Sequence, residues 1–178
     1  MVYLLLADGF EEIEAVTPID ILRRGGVSVQ TAALEGRTVM GSHGMALTAD
    51  IGLDEIDPGQ MEMLILPGGP GHENLDKSAK VQALIEAAWE DQDCYLAAIC
   101  AAPSILGKKN YYAGKKATCY PGYETYLNGA ELAEDLAVAD GRLVTGKGPG
   151  AAADFGFMLL KLLKGETVAQ QVKRAMQY

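Results

Sequence analysis

The chain has 178 residues, is 49% hydrophobic and 22% charged, and carries a net charge of −9 at pH 7. That length predicts one domain with a sizeable core, and the acidic balance argues against nucleic acid, which needs clustered Lys and Arg, and against attraction to anionic membranes. Three cysteines without a CxxC pair and two distant histidines argue against a disulfide framework or a metal cluster and point to free thiols in a reducing cytoplasm.

The apolar start, residues 1–7, is brief and lacks a basic leader, so no signal peptide is expected. No apolar run approaches membrane-spanning length. Residues 3–7 read as a buried strand. After the Asp8-Gly9-Phe10 turn, Ile13, Val16, Ile19 and Leu22 recur at helical spacing and predict a helix ending at Arg24-Gly25-Gly26, with a kink or restart at Pro18. Residues 27–33 alternate as a strand. Residues 38–40 and 45–48 suggest a hairpin around Gly41-Ser42-His43-Gly44. A buried strand at 63–66 runs into Pro67-Gly68-Gly69-Pro70-Gly71. Residues 78–91 form an amphipathic helix with Val81, Leu84, Ile85 and Ala88 on one face. The strand at 95–99 is followed at once by Cys100-Ala101-Ala102-Pro103. Strands at 116–119 and 143–145 and helices at about 151–164 and 166–176 complete the chain. Short apolar runs alternating with helices predict βαβ units, a mainly parallel sheet and one compact α/β domain over residues 1–178.

Cys100 is the candidate nucleophile. Ligand sites in open parallel sheets lie beyond the carboxyl ends of strands. A helix start there supplies free N–H groups and a positive dipole end, both of which stabilise a thiolate. A residue on such a sharp turn projects its side chain outward, as in a nucleophile elbow. The ordinary fate of a free cysteine is a small buried hydrophobe, and Cys94, at a strand entrance, is read that way. Glu11, Glu12 and Glu14 follow the first strand. Glu14, between Ile13 and Ala15, can face inward, where burial raises its pKa and lets a protonated carboxyl donate to sulfur. Solvated or helix-capping roles are the alternative for all three. Glycines 68, 69 and 71 allow backbone N–H groups to approach a substrate, as an oxyanion site requires. No GxGxxG or GxxxxGK[ST] pattern points to a nucleotide.

Asp8-Gly9-Phe10-Glu11-Glu12-Ile13-Glu14, Leu66-Pro67-Gly68-Gly69, Ala97-Ala98-Ile99-Cys100-Ala101-Ala102-Pro103 and Gly148-Pro149-Gly150, in this order, resemble the ThiJ/PfpI superfamily in its DJ-one-like branch. The resemblance runs over nearly the whole chain. It implies a flavodoxin-like sandwich with helices on both faces, and a homodimer formed through the first helix, with Arg23 and Arg24 at or near the interface. It implies Cys100 as nucleophile, Glu14 as its protonated partner, and Gly69 and Ala101 as N–H donors. His43 becomes a candidate contact to the partner subunit's site. The activity implied is a glyoxalase or deglycase acting on small reactive carbonyls such as methylglyoxal, without metal or other cofactor. The alternatives are a redox-responsive stress protein or chaperone whose Cys100 oxidises to sulfinic acid and, more distantly, a protease or amidase.

Two departures narrow this. Many DJ-one-like proteins carry His where Tyr120 stands, and tyrosine is a poorer proton shuttle near neutral pH. The protease-like branch has His after the nucleophile, where this chain has Ala101, which disfavours a Cys-His triad. His72 is expected at the surface, Cys119 in packing rather than as a resolving thiol, and Lys147 in solvent.

Overall fold

The computed structural model describes residues 1–178. Its first half runs β1 (Val2–Leu6), α1 (Glu12–Arg24), β2 (Val29–Ala33), β3 (Thr38–Met40), β4 (Ala46–Thr48), β5 (Ile51–Gly52), β6 (Met63–Leu66), α2 (His72–Lys77) and α3 (Ala79–Glu90). The second half runs β7 (Tyr95–Ile99), α4 (Pro103–Gly107), β8 (Lys116–Ala117), β9 (Glu131–Leu132), β10 (Ala137–Asp140), β11 (Leu143–Gly146), α5 (Ala152–Lys164) and α6 (Glu166–Ala175). Seven strands form one sheet in the order β10-β11-β7-β6-β1-β2-β5. Only the β10–β11 pair is antiparallel. No helix is long and apolar enough to cross a membrane.

The pleat divides the apolar strands between two cores. Leu4, Ile65, Ala97 and Val144 stand in one row across the sheet and pack with Ile19 and Leu22 of α1, Phe155 and Leu159 of α5, and Val172 of α6. Leu5, Leu64, Leu66, Leu96 and Ala98 face the other way, onto Val81, Ile85 and Ala88 of α3 and Ile105 and Leu106 of α4. Burial on both faces is why these strands read as continuous apolar runs rather than alternating ones. The result is the flavodoxin-like sandwich with helices on both faces.

Several expectations change. Helix α1 runs unbroken through Pro18. Proline removes one intrahelical bond, but here it lies against α5, where a Cβ on Gly156 would meet Pro18 Cα at 3.1 Å and Ile21 Cδ1 at 2.8 Å. The inward face of α1 is also rotated from the one expected. Ile13 and Val16 are exposed, while Glu12 and Glu14 are buried. The strand expected at 116–119 is only the two-residue β8, which pairs with β9 outside the main sheet. The Thr118 N–H instead donates to Thr145 Oγ1 at 2.9 Å. The hairpin forms as expected, with Val39 opposite Leu47.

Strand β1 lies between β2 and β6, to which the chain passes in opposite directions. A crevice therefore opens at the carboxyl ends of β1 and β6, the switch point where ligands bind in open α/β sheets. The residues just beyond β1, β6 and β7 are those singled out in the sequence.

Candidate active site

Cys100 follows the last residue of β7 and has φ of 66°, a left-handed conformation that side chains rarely adopt. Its backbone is held on both sides. The Cys100 N–H donates to the Gly146 carbonyl at 2.9 Å, and its carbonyl accepts from the Tyr120 N–H at 2.8 Å. Pro103 then opens α4, a position where its missing N–H costs nothing. The thiol is largely buried, at 8% exposure.

Glu14 is wholly buried on α1. Its Oε2 accepts from the Gly68 N–H at 2.9 Å. Its Oε1 makes no hydrogen bond of ordinary geometry, and the carboxyl faces the Cys100 thiol. Gly68 measures how close the two come: a Cβ there would lie 2.6 Å from both Cys100 Cβ and Glu14 Oε2. Burial raises Glu14 to about pKa 7, against the lowering effect of the thiol and the Gly68 N–H. Burial, then the Glu14 charge, push Cys100 up to about 12, while the Gly69 and Ala101 N–H groups directed at the sulfur pull it down. Burial is the larger part of that rise, and the charge of an ionised Glu14 adds to it. When Glu14 holds the proton the repulsion disappears, and its O–H can donate to sulfur.

Gly69 has φ of +76°, and a Cβ on it would meet the Gly9 carbonyl oxygen at 2.5 Å and the Glu11 nitrogen at 2.6 Å. Only glycine lets this loop lie against the start of α1 and aim its N–H at Cys100. Beside it, Glu12 fastens the β3–β4 hairpin. Its carboxylate accepts from the His43 N–H at 2.8 Å and pairs with the His43 ring at 3.0 Å, and Ser42 Oγ bridges Glu11 and Glu12. Partial burial raises Glu12, but the His43 ring and the N–H groups outweigh it and hold the carboxyl at about 2. One ligand atom each of Glu11, Glu12 and His43 lies within 4.8 Å of the others, yet hydrogen bonds within the cluster already engage them.

Residues 1–162 match the model of the DJ-1/PfpI family. This chain belongs to that family. It is 38% identical to Protein DJ-1 homolog B of Arabidopsis thaliana over 94% of its length, and spans 39% of that longer protein. It is 31% identical to a Thermococcus kodakarensis protein named as a deglycase, covering 92% of this chain and 99% of that one. The crystal structure of Drosophila melanogaster DJ-1beta superposes with a TM-score of 0.92 at 32% identity, over 99% of this chain and 96% of that one.

Within this DJ-1/PfpI domain, Tyr120 reaches the site through its backbone. Its ring is half exposed, with Gly148 beneath it. His72 corrects the expectation of a surface residue. It is buried, and its Nδ1 donates to the Gly69 carbonyl at 2.8 Å. Tyr123, unremarkable in the sequence, packs edge-to-face on His72 with centroids 5.4 Å apart. Burial, then the nearby Cys100, raise its pKa. Cys94 and Cys119 are buried, and burial lifts both to about 11. Lys147 is half-buried rather than free in solvent, and its Nζ donates to the Glu134 carbonyl at 3.3 Å. A surface cavity of about 620 Å³ beside Asp8, Leu34 and Lys80 includes none of Cys100, Glu14, Gly69 or Ala101.

Proposed function

We propose that this protein is a cysteine-dependent glyoxalase or deglycase-like enzyme acting on small reactive carbonyls such as methylglyoxal. The observation that carries the proposal is the buried Glu14 carboxyl, protonatable near neutral pH, against a Cys100 thiol that also receives the Gly69 and Ala101 N–H groups. The family membership and a relative named as a deglycase support it.

The chemistry needs no oxidant and no cofactor. Cys100 sulfur attacks the aldehyde carbon and its proton passes to the carboxylate of Glu14. The aldehyde oxygen becomes an oxyanion facing the Gly69 and Ala101 N–H groups, then takes that proton back from Glu14, which gives the hemithioacetal and restores the Glu14 carboxylate. Glu14 removes the C1 proton and returns it to C2, and the proton of the C1 hydroxyl passes to the C2 oxygen, which turns the ketone into a hydroxyl and the hemithioacetal into a thioester. Water cleaves the thioester, releasing lactate and the thiol. Tyr120, in the place of a family histidine, makes turnover slow.

Lactate formation from methylglyoxal, with Cys100→Ser and Glu14→Gln as controls, tests this. Absence of Cys100-dependent turnover rejects the enzyme.

The unpartnered Glu14 Oε1 favours a second reading. Peroxide would convert the thiol to a sulfenic and then a sulfinic acid, releasing one water per step. A sulfinate oxygen would accept the Glu14 proton and so halt oxidation there. Peroxide titration with mass spectrometry tests it, and oxidation of Cys94 or Cys119 ahead of Cys100 rejects it. The proposed setting for either role is a cytoplasmic homodimer through α1, supported by the exposed Ile13 and Val16 one turn apart.

A further inference from the structure

A cavity of about 200 Å³ lies beside the elbow, lined among others by His72, Asp76, Ser104, Lys108, Tyr123 and Tyr126. Three separate segments enclose it: the start of α2, the elbow helix α4, and the turn that carries Tyr123. Each is tied to the Cys100 site. His72 Nδ1 bonds the carbonyl of Gly69, whose N–H faces the sulfur. Ser104 lies four residues beyond Cys100, and its hydroxyl donates to the Ala101 carbonyl at 2.7 Å. The Tyr123 N–H bonds the Tyr120 carbonyl at 3.1 Å, and the Tyr120 N–H bonds that of Cys100.

The hydrogen-bonding state of this wall selects its ligand. With Nδ1 committed as a donor, neutral His72 offers Nε2 as an acceptor. With its proton given to Ala101, Ser104 Oγ presents lone pairs. Asp76 is a carboxylate already paired with Lys108, so that ammonium does not attract an anion. Tyr123 Oη has no partner within the protein and can turn either way.

We propose that this cavity is a second subsite that takes a hydrogen-bond-donating tail, a hydroxyl or an amine, on a molecule whose electrophilic carbon is attacked by Cys100. As a statement about substrates it rests on the enzyme proposed above; as a statement about the pocket it does not.

The test therefore uses alkylation rather than turnover. N-(2-hydroxyethyl)iodoacetamide and N-propyliodoacetamide present tails of equal length, one ending in a donor and one in a methyl group. Rates of Cys100 labelling are read by mass spectrometry and normalised to each reagent's rate with a free thiol. The hydroxyethyl reagent is expected to label Cys100 about fivefold faster, the effect of one net hydrogen bond. Tyr123→Phe or Ser104→Ala brings the ratio toward one. Equal rates or faster propyl labelling in the unaltered protein overturn the proposal. So does a ratio that survives both substitutions, or a Cys100 that neither reagent reaches. Lactate formation is scored separately: a hydroxyethyl preference without turnover rejects the enzyme and keeps the subsite, and the reverse rejects the subsite alone.

Discussion

The Gly68 N–H donates to Glu14 Oε2 at 2.9 Å, and that one bond ties the loop after β6 to the buried face of α1. A Cβ on Gly68 would enter the gap between the carboxyl and Cys100, 2.6 Å from each. Gly68→Ala is expected to abolish Cys100-dependent lactate formation and to lower stability by about 1–3 kcal/mol, the usual cost of overpacking. Urea unfolding and the lactate assay check both, and an active variant of full stability contradicts the geometry.

Glu14→Gln is expected to cut turnover by about 100-fold or more, the scale of a lost general acid–base. The same variant has a pH signature. Folded Glu14 titrates at about 7, above its ordinary 4.5. The unfolded chain releases this proton first, so native stability falls as pH rises from about 4.5 to 7. The loss is on the order of 3 kcal/mol. Urea midpoints at pH 5 and pH 7.5 should show it in the parent protein and not in the variant.

Glu12 runs the opposite way. Its folded pKa of about 2 lies below 4.5, so its contribution is present above pH 4.5 and is lost as pH falls toward 2. Glu12→Gln should be less stable than the parent at pH 7, with the gap closing near pH 2. A gap that persists at pH 2 would place the effect in packing rather than in charge.

Tyr120→His leaves the bond from residue 120 to the Cys100 carbonyl in place, because the backbone N–H makes it. A histidine there supplies a proton carrier near neutral pH. Lactate formation at pH 7 is expected to rise about tenfold. An unchanged or lower rate would show that this position does not shuttle protons.

Ile13→Asp places a charge on the exposed face of α1. If that face is the homodimer contact, sedimentation should shift the protein to the monomer, and its unfolding midpoint should cease to depend on protein concentration. A dimer that persists would move the interface elsewhere.

The elbow was legible because it is local: an apolar strand, a cysteine and a proline three residues later lie in one short stretch. The same holds for the hairpin and for the buried face of α3. Among three acids Glu14 stood out by its apolar neighbours Ile13 and Ala15 and by the family resemblance, while the turn of α1 that buries it was not legible. The Ile13–Val16 spacing pointed to the core, yet α5 takes the neighbouring face at Pro18 and Ile21 and leaves those two outside. His72 and Tyr123 were not legible as site residues. They lie 51 positions apart in the chain, and only the convergence of α2 with the turn after β8 brings their rings together.

The left-handed backbone of Cys100 costs of the order of 1–3 kcal/mol, and a free residue would relax out of it. Here relaxation would require breaking the bonds to Gly146 and to Tyr120 together. The most strained non-glycine position at the site is therefore expected to be among the slowest to exchange its amide hydrogen with solvent. Strain and rigidity would then coincide in one residue, so that in the proposed enzyme thermal motion does not have to find the attacking geometry.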